Sequence, residues 1–375
     1  MPQSVIIIQE HLPEFRVGFY ELLRRKLADQ DIALELVYAP NQKNNFLKGN
    51  LSWAKPVPIR WIGGGLGWQS VLGLCRGKDL VVIQQETKYL VNPLLQLWSA
   101  FGGPKIAYWG HGKNFQAEAV GSLANRLKAW LSKRVDWWFA YNRLSGNAVR
   151  DLGFPSEQIT EVMNAVDTKS LRDTATETPQ ESLDALKSEL GINSDRVAIY
   201  TGGLYKRKRI EFLIAAAQII QKEIPDFHLI VIGDGPDAGI VEKAARTHPW
   251  IHFVGPKNDG EKVPYWMISK VLLIPGLVGL VIVDSFALGV PLVTTDYPFH
   301  SPEIDYLENG ENGVLVNCGE SVEIYAAEIS SLLLDVKRLQ HLRENALSSA
   351  DSYSFEVMSD RFADGVMNCL ARSGH

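Results

Sequence analysis

Four consecutive bases, Lys206 to Arg209, stand between Gly202-Gly203 and an apolar run in "TGGLYKRKRIEFL". One acid, Asp284, sits in the otherwise apolar stretch "PGLVGLVIVDSFALGVPLV" (275–293), and His111 follows an apolar run in "AYWGHGKNF". These residue types suit anion binding. Glycines let backbone approach a ligand closely, and a helix N-terminus attracts negative charge. Bases ordinarily favour the other end of a helix, so four of them before its start oppose the dipole. A bound diphosphate would resolve that conflict; a solvated basic turn is the plainer reading. In the apolar stretch, a helix starting near Gly279 leaves the backbone N–H groups of Gly279, Leu280 and Val281 without intrahelical partners. Asp284, about a turn further on, can accept two hydrogen bonds from a vicinal diol such as a ribose, or pair with a nearby Arg or Lys. A buried acid needs one or the other, and the sequence leaves both open. For His111 the plainer reading is a structural histidine bonded to backbone.

The elements that must position these residues are short apolar runs alternating with helical patterns. "SVIII" (4–8), "ALELVY" (33–38), "DLVVIQ" (79–84), "KIAYWG" (105–110) and "DWWFAY" (136–141) read as strands in the first half. "VAIYTG" (197–202), "HLIVIG" (228–233), "IHFVG" (251–255), "VLLIP" (271–275) and "PLVTT" (291–295) do so in the second. Helical patterns fall at 15–29, at 122–134, and in "RIEFLIAAAQIIQKEI" before Pro225. Near-continuous apolar strands separated by helices imply parallel sheets covered on both faces. The fold class is therefore α/β, with two Rossmann-like domains facing a cleft. The polar run "DTATETPQES" (173–182) places a linker near 167–182. The expected domains are 1–166, 167–352, and a C-terminal helical segment, 353–375, crossing back to the first. "VIGDGP" (231–236) holds Gly-x-Gly without a third glycine in register and reads as a tight strand-to-helix turn.

Composition narrows the function classes. The chain has 375 residues, more than one core usually holds. It is 46% hydrophobic and 22% charged, with a net charge of -5, which argues against nucleic acid as a partner. Cys75, Cys318 and Cys369 are too few and too scattered for a disulfide framework, so a reducing, cytoplasmic setting is expected. The N-terminus lacks the basic region of a signal peptide. The run around 271–283 is broken by Pro275-Gly276 and ended by Asp284, short of the roughly 20 apolar residues of a spanning helix. "NRLKAWLSKRVDWWF" (125–139) mixes bases with Trp130, Trp137 and Trp138. It reads as a helix followed by a buried strand, or as a peripheral contact with an anionic inner-membrane surface.

Taken in order, these segments resemble the retaining nucleotide-sugar glycosyltransferases of group 1, which have the two-domain GT-B fold. "YNRLSGNAVRDLGFPSEQITEVMNAVDT" is similar to the family's domain junction, and "GGLYKRKR" to its diphosphate loop. "IHFVG" is similar to the strand whose end, at Val254, meets the nucleotide base. "PGLVGLVIVDSFALGVPLVTT" with "SPEIDYLENGENGVLV" is similar to the donor-site helix and the strand after it. Gly202, Gly203, Arg207, Lys208, Val254, Gly276, Gly279, Leu280, Val281 and Asp284 are then the implied donor-binding positions. The chain departs from the family twice. Gly203 stands where an Arg is usual, leaving Arg207 or Lys206 to supply that charge. Of the family's two glutamates, the second falls on Asp284 and the first on Gly276, with seven residues between them. The missing carboxylate leaves an apparent gap beside the donor sugar.

The resemblance implies transfer of a sugar from a UDP- or GDP-type nucleotide sugar to a hydroxyl of a saccharide or lipid-linked acceptor, with retained configuration and no cofactor. It implies no metal either, and no paired-acid motif accompanies the basic loop. Lys208 would stabilise the leaving diphosphate, and His111 would act near the reacting sugar carbon. Glu14 and Arg16, in the loop after the first strand, become the acceptor-side candidates. The start of the chain, with "WGHG" and "PGLVGL", resembles a bacterial surface-polysaccharide subgroup. Two alternatives remain: a nucleotide-sugar epimerase of similar fold, and a catalytically weak relative that binds sugar nucleotide.

Overall fold

The computed structural model describes residues 2–40, 50–63, 65–112 and 130–372. The chain divides into two compact units, Met1–Val166 with Phe355–His375, and Asp167–Ser354.

The first unit holds β1 (Gln3–Gln9), β2 (Ile32–Tyr38), β3 (Lys55–Pro56), a β4–β5 hairpin (Ile59–Ile62, Leu66–Gln69), β6 (Leu80–Gln84), β7 (Lys105–Gly110), β8 (Trp137–Ala140) and β9 (Ile159–Glu161). Seven of these form one parallel sheet in the order β3-β2-β1-β6-β7-β8-β9. Its central strands are apolar along their length because both faces are covered. On one face Phe19, Trp109, Phe139 and Phe362 pack together. The Phe139 and Phe362 rings lie parallel, 4.0 Å apart. Phe362 belongs to the last helix, Phe355–Ala371. A Cβ on its Gly365 would stand 2.5 Å from Thr160 Oγ1 and 2.6 Å from the Phe139 ring, so glycine is what lets this helix lie so close. On the other face Val81, Ile83, Ile106, Trp138 and Val149 form a second apolar layer.

The second unit holds β10 (Val197–Thr201), β11 (His228–Ile232), β12 (Ile251–Gly255), β13 (Val271–Ile274), β14 (Leu292–Thr295) and β15 (Gly313–Val316). They form a parallel sheet in the order β12-β11-β10-β13-β14-β15. Chain order reverses between β10 and β13, which makes the carboxyl ends of these two strands a topological switch point. That is where doubly wound sheets bind ligands.

The expected strands appear with their ends shifted by at most a residue or two, and β15, the "GVLV" that ends the segment from Ser301, completes the second sheet. The expected linker near 167–182 does not appear. Residues Thr168–Glu177 and Gln180–Glu189 are helices, and Asp167 caps the first by accepting the Ser170 N–H at 2.9 Å. The segment is polar because much of the first helix is exposed; Thr168 and Leu171 are its buried residues, and Leu171 is its apolar anchor. Most of the helical pattern at 122–134, and the first part of the 125–139 segment, lie outside the described residues. From 130 onward, Trp137 and Trp138 are buried in β8, while Trp130 is exposed with the Arg134 guanidinium 4.0 Å above its ring. Among the described residues no helix is long and apolar enough to cross a membrane.

Candidate functional site

The loop after β10 and the loop after β13 meet at the switch point. Lys206–Lys208 form a single 3-10 turn, and Arg209, in the left-handed region at φ 57°, turns the chain into the helix Ile210–Glu223. The four bases take different directions. Lys206 is exposed. Arg207 is half-buried, its guanidinium 5.7 Å from the Phe299 ring centre. Arg209 reaches back to Glu320 at 2.6 Å, with Thr295 Oγ1 at 3.3 Å and the Pro275 carbonyl at 3.4 Å. Glu320 and Glu211, in the first helical turn, therefore relieve part of the conflict between these bases and the helix dipole.

Lys208 is the base that turns inward. It is 6% exposed, and Nζ donates to the Leu277 carbonyl at 2.6 Å. A Cβ placed on Gly202 would lie 3.9 Å from that nitrogen. Burial lowers the Lys208 pKa to about 8. Its partners among the described residues are the neutral Leu277 carbonyl and the Tyr205 ring, whose centre is 5.9 Å from Nζ, and a buried ammonium with no carboxylate beside it favours an anion.

The glycines of the site serve close backbone approach. Gly202 has φ 139°, where only glycine is at ease. The Gly202 N–H donates to Ile232 O at 3.0 Å and the Leu204 N–H to Asp234 O at 2.8 Å, so the "VIGDGP" turn is zipped onto the β10 loop. A Cβ on Gly233 would stand 1.9 Å from Gly202 O, and one on Gly235 2.2 Å from Leu204 O. Gly203 is exposed. Val254 lies near the end of β12, two strands from β10, and is half-buried.

Gly276 requires a correction. The expected gap beside the donor sugar is filled by main chain: a Cβ at 276 would stand 2.2 Å from Arg207 O and 2.8 Å from Lys208 Cα. Gly276 is the point at which the two loops touch, and the missing carboxylate follows from that packing.

The helix after β13 runs from Val281 to Leu288, two residues later than the expected start at Gly279. Gly279, Leu280 and Val281 are half-buried at its amino end. The helix is apolar nearly all round, as a helix buried on every side must be. Asp284 within it is 7% exposed and accepts from Lys262 Nζ at 2.8 Å; Lys262 also donates to Asp259 at 2.7 Å. Of the two readings open in the sequence, the structure supplies the ion-pair partner. Burial raises the Asp284 pKa, and Lys262 works against that rise. For Lys262, burial disfavours the charge but two carboxylates raise its pKa overall.

Two residues at this site carried no signal in the sequence. Lys262 lies 22 positions before Asp284, on the helix Asp259–Met267. His300, in the segment after β14, accepts the Val278 N–H on Nδ1 at 3.0 Å and has Nε2 2.9 Å from Thr295 O. Lys262 pairs with Asp259 at helical spacing, but neither Lys262–Asp284 nor His300–Val278 follows a motif or a helical period, so only through-space contact reveals those two pairs.

The remaining candidates lie in the first unit. His111 directly follows β7, is half-buried, stacks on Tyr141 with ring centres 4.2 Å apart, and has Nδ1 3.4 Å from Ser145 Oγ. Glu14 is exposed in the 3-10 turn Glu14–Arg16. Arg16 is not a surface group awaiting an acceptor. It is 7% exposed, with Nη1 3.2 Å from Ala165 O and Nη2 on Asn164 Oδ1, so it ties the loop after β1 to the "NAVD" segment. An Asp-x-Asp spacing, Asp29 and Asp31, lies between the Val17–Ala28 helix and the start of β2. That is the amino end of the sheet, opposite the edge where ligands bind.

Residues 195–335 match the family model described as Glycosyl transferases group 1. The chain is 30% identical over 173 residues to the alpha-monoglucosyldiacylglycerol synthase of Acholeplasma laidlawii, a stretch covering 44% of this chain and 39% of that protein. The chain thus spans well under two thirds of that relative's length. In fold it is similar to Anabaena Alr3699/HepE, solved in complex with UDP, with a TM-score of 0.72 and 16% identity over 97% of this chain and all of that one. It is also similar to the sucrose-phosphate synthase of Thermosynechococcus elongatus, with a TM-score of 0.69 and 15% identity over 99% of this chain and all of that one. Residues 195–335 are thus a group 1 glycosyl transferase domain, in a chain with the GT-B fold of two Rossmann-like domains.

Proposed function

We propose that the protein is a glycosyltransferase that takes a sugar from a nucleoside-diphosphate sugar, of UDP or GDP type, and transfers it to a hydroxyl of a saccharide or lipid-linked acceptor. The observation that carries this reading is the inward turn of Lys208, whose buried ammonium lies beside Gly202 and on the loop leading to Val281. In this scheme the anomeric bond breaks through an oxocarbenium-like transition state, as in glycoside hydrolysis. Negative charge grows on the departing diphosphate. Lys208 and the N–H groups at 279–281 stabilise it, while Arg207 and Lys206 add charge at the rim. A charge-assisted hydrogen bond contributes about 1.5–3 kcal/mol, so several act together. The scheme retains configuration, with the leaving phosphate taking the acceptor proton, and assigns no role to a metal. His111 is assigned to the sugar end of the reaction.

Calorimetry with UDP and GDP tests the site, and product analysis by NMR tests the stereochemistry. Binding of neither nucleotide would overturn the reading. An inverted product, or activity lost to a chelator and restored by magnesium or manganese, would overturn the retaining, metal-independent scheme. The close packing at Gly276, which leaves no room for a carboxylate, favours a second reading: sugar-nucleotide binding without transfer. Tight binding with no product over a broad acceptor panel would select it.

A further inference from the structure

Val278 lies between Leu277, whose carbonyl receives Lys208, and the residues that open the Val281–Leu288 helix. Both of its backbone groups are held by one short segment: its N–H donates to His300 Nδ1 at 3.0 Å, and its carbonyl accepts the Ser301 N–H at 3.0 Å. The other ring nitrogen of His300 faces the Thr295 carbonyl at 2.9 Å. A backbone N–H can only donate and a carbonyl can only accept, so His300 has one workable state: neutral, with the proton on Nε2.

A proton on Nδ1 would set two donors against each other at this distance and strand the N–H of a fully buried residue, since Val278 is 0% exposed. Its surroundings are mixed. Burial and the Lys208 ammonium oppose a charge on the ring; the Thr295 carbonyl and the exposed Asp296 favour it; Tyr297 packs edge-on with ring centres 5.8 Å apart. On balance the ring's pKa is lowered, so the neutral form persists to more acidic pH than in an ordinary histidine.

We propose that His300 is a positioning residue for the loop after β13: its neutral imidazole holds Val278 so that the N–H groups at 279–281 are presented to the ligand, and a proton on Nδ1 releases them. The proposal rests on the donor-site reading above. It adds a pH-dependent hold on that site, through a residue that touches neither phosphate nor sugar.

The test is UDP and GDP affinity, by calorimetry from pH 8 to pH 5, for wild type, His300→Asn and His300→Ala. Asn can place its Oδ1 near the position of Nδ1 but does not titrate in this range. Proton uptake by the nucleotide, by Lys208 and by other histidines is common to all three proteins, so the ratio of affinities at each pH isolates His300. At pH 8 the Ala variant is expected to bind about tenfold more weakly, the scale of one hydrogen bond, and Asn within about threefold of wild type. Below pH 6.5 wild type should lose affinity relative to Asn, and amide exchange at 277–282, corrected for its intrinsic pH dependence, should quicken in wild type alone. A wild-type to Asn ratio that stays flat overturns the proposal. So does a wild-type affinity that rises on acidification, which would mean that the imidazolium attracts the diphosphate. If His300→Ala does not fold, the Asn comparison decides by itself. Wild type binding neither nucleotide overturns the donor reading and this role with it, whereas binding with a flat ratio overturns this role alone.

Discussion

Lys262 Nζ lies 2.8 Å from Asp284 Oδ2, with both side chains about one-tenth exposed. An ion pair so far from water is held by its completeness: removing one partner leaves a charge without compensation, at a cost of about 3–5 kcal/mol. Lys262→Met should therefore lower the unfolding free energy by about that much. Asp284→Asn should lower it less, because Lys262 keeps Asp259, which is largely exposed. Urea unfolding of both variants checks the order. The same Asn variant separates the two roles of the acid. If Asp284 also serves a ribose, UDP affinity should fall by about 1–3 kcal/mol while 2′,3′-dideoxy-UDP affinity barely changes. Equal losses for both nucleotides leave the acid to Lys262 alone.

Gly276 is replaceable only if two loops separate. Gly276→Ala puts a methyl 2.2 Å from Arg207 O, against main chain that cannot swing aside. The expected loss is about 1–3 kcal/mol of stability, the usual cost of overpacking, together with weaker nucleotide binding as Lys208 is displaced. Gly279→Ala is the control, since its methyl would come no closer than 3.9 Å to Ser301 Oγ. A Gly276→Ala protein that melts like wild type would show that the loops have slack.

Lys208 predicts a proton linkage. Its folded pKa, about 8, lies below the ordinary 10.5 because of burial. The unfolded chain thus holds this proton between roughly pH 8 and 10.5 while the folded protein has released it, and stability from this group rises with pH across that window. A bound diphosphate restores a counter-charge and reverses the shift. Nucleotide binding at pH 8.5 should therefore take up a proton, seen as a dependence of binding enthalpy on buffer ionisation enthalpy. In Lys208→Ala that uptake should vanish and affinity should fall about tenfold or more. Uptake that persists in the variant assigns the proton to another group.

His228 and His252 stand at or near the starts of β11 and β12, with Nδ1 of the first 3.0 Å from Nε2 of the second. Burial lowers both pKa values, and that of His252 falls to about 4, with His228 adding to the effect. Both therefore take up a proton less readily in the folded protein than in the unfolded chain. Their contribution to stability is present above pH 6.5 and is lost as pH falls from there towards 4. The melting temperature should drop through that range, and His252→Gln should flatten the drop. An unchanged slope would place the acid sensitivity elsewhere.

What the sequence determined by itself was local or periodic. "VAIYTG" and "VLLIP" announce buried strands because a strand covered on both faces is apolar along its length. The helix "RIEFLIAAAQIIQKEI" shows its own repeat and its stop. The glycines and adjacent bases of the β10 loop were legible in the sequence, and so was the strand–loop–helix around Asp284, in its run of small and apolar residues. Only the tertiary structure decided which base turns inward, since four adjacent bases are equivalent until the β13 loop arrives beside them. It made Gly276 a contact between main chains, gave Asp284 a lysine and Val278 a histidine, and turned Arg16 onto Asn164. It also made helices of the polar stretch after Asp167, where Leu171 and Leu183 are the apolar residues buried. Each of these depends on which strands are neighbours and on how far each loop reaches beyond its strand. Such partners meet through space, and the separation between them in the chain obeys no period that a sequence can display.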